Sequence, residues 1–251
     1  WMLGEVALNL SPVALVLTVT VVFAAAFARG YSGFGFSAIL MVGLLPIIPA
    51  SQLVPMSVAL EILASSSQAR RILPDVHRQY LAILLVASMI GVPAGVYLLS
   101  YFSEQGLRFT VYGVIFVSTL VLLISKPRPV RIAYPHLFAA GLVAGAVNGA
   151  TALSGLVLAL FFASSTVSSR TMRATMIAYL FFTDVITGGF LLAANHYDAQ
   201  TMWRVLLAVP FMLAGVWLGT RQFLKTPSAS FKPLVMWLLL GFCVLGIIQL
   251  L

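Results

Sequence analysis

Long runs of apolar residues, separated by short polar connections, cover almost the whole chain. Most runs approach the roughly 20 residues that an α-helix needs to cross the hydrocarbon core of a bilayer. The pattern predicts an all-α polytopic membrane protein with about eight to ten hydrophobic segments in a single transmembrane domain, residues 1–251. The segments are 11–28, 34–49, 52–69, 79–101, 108–125, 134–150, 153–164, 174–194, 203–223 and 232–250.

One segment is too short to cross. Residues 153–164 provide roughly 16 Å of helix at about 1.5 Å per residue, against a hydrocarbon core of about 30 Å. With residues 134–150 they are expected to form a re-entrant hairpin whose tip stops near mid-membrane. Residues 11–49 are interpreted in the same way. In both places, two complete spans with tilted ends are the alternative.

The chain also repeats itself at a spacing of about 116 to 123 residues. The matching positions are Ala94-Gly95-Val96-Tyr97-Leu98 with Ala214-Gly215-Val216-Trp217-Leu218, Ser32-Gly33 with Asn148-Gly149, and Glu61 with Asp184. Because the matches occur in the same order, they predict an inverted repeat of five plus five segments, with two re-entrant hairpins. Residues 11–125 form the first repeat and residues 134–251 the second. Inverted repeats are typical of transporters.

Composition and charge agree with a membrane protein. Hydrophobic residues make up 61% of the chain and charged residues 8%, whereas soluble domains are about a quarter charged. The net charge of +8 does not indicate nucleic acid binding, because the basic residues lie in short clusters between apolar segments. The positive-inside rule places these clusters in the cytoplasm and leaves both termini outside. The clusters are Arg70, Arg71 and Arg78; Lys126, Arg128 and Arg131; Arg170 and Arg173; and Arg221, Lys225 and Lys232.

Glycine-rich stretches lie at the two predicted hairpin tips, residues 29–37 and 145–155. Glycine lets the backbone approach a ligand, and the short helix after each tip begins with unpaired N–H groups at its positive dipole end. If the hairpins enter from opposite faces, the tips meet and form an anion site. The alternative is that the glycines only permit close helix packing. The predicted binding residues at the tips are Gly30, Tyr31, Ser32, Gly33, Phe34, Gly35, Asn148, Gly149, Thr151, Ser154 and Gly155.

Three charged residues complete the candidate site. Arg29 falls at the first tip, where its planar guanidinium suits an oxyanion; the alternative is an arginine that snorkels at the cytoplasmic end of a complete span. Glu61 and Asp184 lie deep within their segments. Burial favours the protonated form of a carboxyl group, so either is a candidate to carry a proton with or against the substrate. The alternative for both is a structural pair with arginine or a hydrogen bond across helices.

Other classes of function find little support in the sequence. The single cysteine, Cys243, cannot form a disulfide or a thiolate metal site within one chain. A membrane-embedded enzyme would need an activated nucleophile or a metal cluster, and no HExxH, GxSxG or paired-histidine motif occurs. A non-transporting redox or scaffold subunit would need axial histidine pairs or large loops. We therefore expect no metal, cofactor or nucleic acid; a homodimer is compatible with the sequence.

The sequence resembles the sulfite exporter TauE/SafE family, also called the toluene sulfonate uptake permease family, of duplicated bacterial membrane proteins. The resemblance covers nearly the whole chain. Arg29-Gly30-Tyr31-Ser32-Gly33-Phe34-Gly35 is similar to the family's first glycine-rich motif, and Asn148-Gly149 with Ser154-Gly155 is similar to the second. The second motif often has a glycine pair followed by proline, whereas Leu156 follows Gly155 here.

This resemblance implies a multi-pass protein of the bacterial cytoplasmic (inner) membrane. It implies transport of a small anion, namely sulfite, a sulfonate or a related organic anion, and this transport is often linked to protons. Together with the inverted repeat, it predicts alternating access around a site held between the two tips.

Overall fold

The structure is a computed structural model that describes residues 10–124, 132–163 and 165–225. Within these residues the chain forms nine α-helices, which confirms the predicted all-helical class. A 3-10 turn, Leu73–Asp75, joins the third helix to the fourth. The helices are α1 (Pro12–Ser32), α2 (Phe36–Leu44), α3 (Ala50–Ile72), α4 (Arg78–Tyr101), α5 (Glu104–Ile124), α6 (Tyr134–Thr151), α7 (Ser154–Ala163), α8 (Ser169–Ala193) and α9 (Ala199–Lys225).

Some of the predicted features lie outside the described residues. These are the basic loop with Lys126, Arg128 and Arg131, and the last apolar segment, 232–250, with Lys232 before it and Cys243 within it.

Four of the described helices, α1, α4, α8 and α9, are long and apolar enough to cross a membrane. Large apolar side chains such as Val16, Ile90 and Trp203 point outward from them. Such a surface is stable against lipid and unfavourable against water. The chain is therefore a multi-pass membrane protein.

Each short helix is separated from the long helix before it by a sharp break. After α1, Gly33 and Gly35 adopt left-handed conformations, with φ of +86° and +91°. After α6, Ala152 does the same, with φ of +58°. The short helices α2 and α7 have 9 and 10 residues, roughly 14 to 15 Å of helix, about half of the hydrocarbon core.

The first long arm extends further than a hairpin ending at mid-membrane requires. Helix α1 has 21 residues, roughly 31 Å, which is close to a complete span. Ser11 caps the start of the helix by accepting a hydrogen bond from the N–H of Ala14. Gly33 caps its end, where the Gly33 N–H donates to the carbonyl oxygen of Arg29 at 2.7 Å. No residue between Val13 and Ser32 is a strong helix breaker apart from Gly30, so the helix continues to the first left-handed glycine.

Two parallel helix pairs cross very closely, α4 with α6 and α1 with α9. A Cβ on Gly95 would collide with the carbonyl oxygen of Ala146, and a Cβ on Gly219 would collide with that of Phe27. Small residues at such crossings let the backbones approach, and the approach increases van der Waals contact where lipid offers no hydrophobic driving force. The long helices before the two breaks, α1 and α6, are thus each packed on a helix from the other half of the chain.

Contacts between loops define two faces of the helix bundle. Arg170 at the start of α8 pairs with Asp75 after α3, with Nε to Oδ2 at 2.7 Å. The backbone N–H of His77 donates to Thr175 at 3.0 Å. We call this end, where α3 ends and α8 begins, the basic face.

At the opposite face, acidic side chains accept hydrogen bonds from the first backbone N–H groups of helices. Glu104 accepts hydrogen bonds from the backbone N–H groups of Ala50 and Ser51 at the start of α3. Asp198 accepts from the Thr201 N–H at 2.7 Å and from Gln52 Nε2 at 2.9 Å. Partial burial favours the neutral form of Asp198, but the hydrogen bonds from Thr201 and Gln52 outweigh it and lower the pKa below its usual value.

Candidate anion site

Arg29 lies one helical turn before the end of α1, and its side chain is completely buried. Its Nη1 donates to Oε2 of Glu61 in α3 at 2.6 Å, and its Nη2 donates to Oγ of Ser65 at 2.5 Å. Ser37, in the first turn of α2, donates to the other carboxylate oxygen of Glu61. Glu61 therefore binds the chain on both sides of the first break.

Asn148 occupies the corresponding position, one turn before the end of α6, and is also fully buried. Its Nδ2 donates to Oδ1 of Asp184 in α8 at 2.9 Å and to Oγ1 of Thr187 at 3.0 Å. Ser154, the first residue of α7, donates to Asn148 Oδ1 at 2.6 Å. The second break is thus organised like the first, with an amide where the first has a guanidinium.

The two buried carboxyl groups, Glu61 and Asp184, lie on neighbouring helices, α3 and α8, beside the two breaks. Both are buried, and Arg29 is the one cation among the described residues that forms an ion pair with either. Two carboxylates facing a single cation in a space without water would leave an uncompensated buried charge. Asp184 is bound by the neutral Asn148 and forms no ion pair among the described residues.

The two breaks meet beside Glu61. A Cβ on Gly155 would lie 3.4 Å from the Cβ of Phe34, and no described side chain caps the N-terminus of α2. The positive end of the α2 helix dipole faces a cavity between the breaks. This cavity measures about 10 Å³, about enough for one water molecule, so the site is closed in this conformation. It is lined by Gly35, Ser37, Ala38, Glu61, Ala152, Leu153, Gly155 and Leu156.

The model of one protein family, described as sulfite exporter TauE/SafE, matches residues 18–246, which contain both breaks and both buried carboxyls. The chain belongs to this family. No curated protein and no solved structure matches it. The resemblance seen in the sequence is thereby confirmed. The TauE/SafE family is one of membrane transporters and not of enzymes, so this chain is a transporter of the sulfite-exporter type.

Burial decides between the two interpretations of Arg29 that the sequence left open. A snorkelling arginine would expose its guanidinium at the membrane surface, whereas Arg29 has none of its side chain exposed. That alternative is wrong for this TauE/SafE chain. The pair between an arginine and a carboxylate, considered for both Glu61 and Asp184, occurs at Glu61; Asp184 binds an amide instead.

The predicted glycines divide into two groups. Gly30 and Gly149 lie at helix crossings, where a Cβ would meet backbone oxygens of α9 and α4 respectively. Gly33, Gly35 and Gly155 lie at the breaks; a Cβ on Gly35 would meet nothing within 4 Å. The packing alternative therefore describes the first group. In the second group, Gly35 and Gly155 line the cavity, whereas Gly33 lies against Arg173.

The other predicted binding residues shape the breaks without lining the cavity. Tyr31 is buried, and its ring lies edge-on to that of Phe223 with centroids 6.2 Å apart. Ser32 Oγ lies 2.7 Å from the carbonyl oxygen of Phe34 and so ties the break together. Thr151 donates to the Val147 carbonyl oxygen within its own helix at 2.8 Å.

Three hydroxyl groups of the centre were missed as binding residues, although the sequence contains a signal for them. Ser57 and Ser65 stand four residues before and after Glu61, and Thr187 stands three residues after Asp184. Residues three or four apart share one face of a helix. A polar stripe through an intramembrane carboxylate therefore identifies hydroxyls that face the same interior.

Arg173 was expected in a loop of the basic face, but α8 begins at Ser169 and includes it. Its Nη2 donates to the carbonyl oxygen of Gly30 at 2.6 Å, and its guanidinium lies 4.5 Å from the Phe223 ring centroid. A cation at the carbonyl end of α1 is favoured by the helix dipole. Arg173 therefore holds the end of the first long arm close to the basic face.

The similarity between the two breaks follows a different register from the predicted sequence repeat. Arg29, not Ser32, stands in the place of Asn148. Gly219, not Gly215, meets α1 as Gly95 meets α6. Glycine recurs every fourth residue along these helices, so a short string matches equally well when it is displaced by one turn.

Proposed function

We propose that this protein transports sulfite or a small organosulfonate across a bacterial cytoplasmic membrane, by proton-coupled alternating access. The buried contact of Arg29 with Glu61, beside Asp184 and between two helix breaks, is the observation that carries the proposal. Arg29 binds the oxyanion. The hydroxyls of Ser37 and Ser154 and the backbone N–H groups at the start of α2 and α7 complete the site.

In this mechanism Glu61 forms an ion pair with Arg29 while no substrate is bound. The guanidinium fork, which binds Glu61 and Ser65 in the closed state, fits two oxygens of a sulfite or sulfonate group equally well. The substrate takes the place of the carboxylate, and Ser37 is released from Glu61 at the same time. The Glu61 carboxylate thus serves as an internal counter-ion that neutralises Arg29 between transport cycles.

The exchange requires a proton. When the substrate takes over Arg29, Glu61 is left without a cation in a buried space, where a charged carboxylate is unstable. Glu61 therefore becomes protonated. Asp184, the other buried carboxyl beside the breaks, relays this proton and regains one from the side on which the substrate enters, so that no uncompensated charge is left. One proton accompanies each anionic charge that enters the site.

The two halves of the chain support the alternation. We propose that they form an inverted repeat within one transmembrane domain, with the basic face in the cytoplasm. The matched positions of Arg29 and Asn148, of Ser37 and Ser154, and the two glycine crossings support this. Rocking of one half against the other would open the closed site to each side in turn.

The test uses an organosulfonate, which stays ionised at every working pH, so that any proton movement belongs to the protein. Purified protein in liposomes is given a sulfonate gradient, and internal pH is followed with a trapped dye while labelled sulfonate is counted. We expect one proton for each sulfonate in the parent protein. Asp184→Asn and Glu61→Gln should reduce proton movement to the level of empty liposomes.

Asp75→Asn is the matched control, because Asp75 is a carboxylate at the surface of the basic face. It should behave like the parent. If both buried amide variants keep the parent's ratio of protons to sulfonate, the carboxyls are structural and the coupling mechanism is wrong.

A further inference from the structure

A second cavity lies between α3 and α9 near the basic face. Its volume is about 320 Å³, room for roughly ten water molecules at about 30 Å³ each. It is therefore large enough for a small hydrated anion, in contrast to the closed site beside Glu61. It is lined by Ser67, Gln68, Arg71, Leu213, Val216, Trp217 and Thr220.

The inner end of this cavity approaches Arg29 by two routes. Gln68 stands three residues, less than one helical turn, after Ser65, the residue that accepts a hydrogen bond from Arg29. Thr220 donates to the carbonyl oxygen of Gly30, the residue that follows Arg29, at 3.4 Å. Gln68 Nε2 in turn donates to Thr220 Oγ1 at 3.2 Å. This contact joins α3 to α9 at the inner end of the cavity.

The lining combines four polar residues with three apolar ones, and the polar residues lie mainly on α3. Gln68 is 3% exposed, and its Oε1 has no hydrogen-bond partner among the described residues. A buried amide oxygen without a donor is unstable unless water or a ligand reaches it. Arg71 takes part in none of the ion pairs among the described residues, so its charge is available to an anion. Arg221 adds positive charge at the same end, 4.3 Å from the Trp217 ring centroid.

The register between α3 and α9 shows how the passage could open. Gln68 meets Thr220 near the basic face, and Gln52 meets Arg204 at the opposite face, where Arg204 Nη1 donates to Gln52 Oε1 at 2.6 Å. Each pair joins positions 152 residues apart, so the helices run side by side in one direction. Glu61 lies on α3 between the two contacts. Separation of the helices at one end exposes the site to that face only.

From these observations we infer that the cavity between α3 and α9 is a water-filled vestibule through which the small anion passes between the cytoplasm and Arg29. Arg71 concentrates anions in the vestibule, and the contact of Gln68 with Thr220 is the gate at its inner end. The inference rests on the proposed function and identifies its path on the basic side.

The experiment measures chemical access to the cavity. In a Cys243→Ser background, which removes the single cysteine of the chain, Ser67→Cys places a thiol in the cavity. Ser66→Cys is the matched control, since Ser66 is the exposed neighbour that does not line it. Each variant is treated, in inside-out vesicles, with methanethiosulfonate reagents of similar size that carry a sulfonate or a trimethylammonium group.

We expect the cysteine at position 67 to react faster with the anionic reagent than with the cationic one. Arg71→Gln should lower this ratio of rates about tenfold, because a charged cleft raises the local concentration of a counter-ion. Arg70→Gln is the control for charge alone, because Arg70 is adjacent and exposed but outside the cavity; it should change the ratio little. Modification at position 67, but not at position 66, should block sulfonate transport.

The inference is overturned if the cysteines at positions 66 and 67 react alike and Arg71→Gln acts no differently from Arg70→Gln, as a cavity filled by lipid would behave. Thr220→Cys provides a second position in the lining, should Ser67→Cys fail to fold. Labelling does not depend on transport. Loss of proton coupling with the expected labelling would refute the proposed function alone, and coupled transport without the expected labelling would refute the vestibule alone.

Discussion

The two helix breaks have nearly the same construction and opposite electrostatic character. In the first half a buried guanidinium, Arg29, binds the carboxylate of Glu61. In the second half a neutral amide, Asn148, binds the carboxyl of Asp184. A serine at the start of the following short helix completes each group. The same backbone framework therefore holds one charged and one neutral version of a polar centre.

In the proposed mechanism, this difference gives the two breaks different tasks. In that mechanism, Arg29 gives the site one place for an anion, and the neutral Asn148 leaves Asp184 free to hold a proton. An arginine at both positions would attract two anions and would leave no carboxyl free to hold a proton. An amide at both positions would attract no anion. We therefore propose that the asymmetry between the two breaks, more than the framework they share, couples the anion to a proton.

The largest expected effect comes from removing the cation. Arg29→Ala leaves Glu61 as a buried charge without a partner and should lower the free energy of unfolding in detergent by about 3–5 kcal/mol. Asn148→Ala breaks neutral contacts only and should cost about 1–3 kcal/mol. Adding Glu61→Gln to Arg29→Ala should recover part of the loss. Equal costs for the two alanine variants, without recovery in the double variant, would contradict the electrostatic difference between the halves.

The second prediction concerns a feature that the halves share. Gly95→Ala and Gly219→Ala each push a methyl group against a backbone oxygen of the partner helix. Overpacking of this kind should cost about 1–3 kcal/mol in each case, and thermal unfolding should show similar shifts for both. Gly189→Ala in α8 is the control, since a Cβ there meets nothing within 4 Å; it should be neutral or stabilising because alanine favours helix. Very different shifts at the two crossings would break the correspondence.

The smallest effect compares the two serines. Ser37→Ala removes a hydrogen bond to a carboxylate, whereas Ser154→Ala removes one to a neutral amide. Bonds to charged groups contribute about 1.5–3 kcal/mol and neutral ones about 0.5–1.5 kcal/mol. Ser37→Ala should therefore be the more destabilising of the two by about 1 kcal/mol, measured by chemical unfolding. The opposite order would indicate that Glu61 is not the charged member of the pair.

The sequence by itself determined that lipid surrounds this protein. It also identified the charged residues whose positions within apolar segments require an explanation. Apolar runs of helical length, with charges confined to short loops, can fold only where lipid covers the surface. Glu61, Asp184 and Arg29 stand out because a charge within such a run is costly. The left-handed glycines after α1 were also visible as a glycine-rich stretch, and the family motif followed from them.

Only the tertiary structure decided which of these residues meet. The pairing of Arg29 with Glu61, and of Asp184 with Asn148, depends on how α3 and α8 are placed against the two breaks. The helices that carry the breaks, α1 and α6, are in turn fixed by glycine crossings with α9 and α4. Because glycine recurs every fourth residue, helices can be matched at more than one turn by sequence alone. The packed structure selects a single register, in which the backbones approach at the glycine crossings and Arg29 and Asn148 meet Glu61 and Asp184.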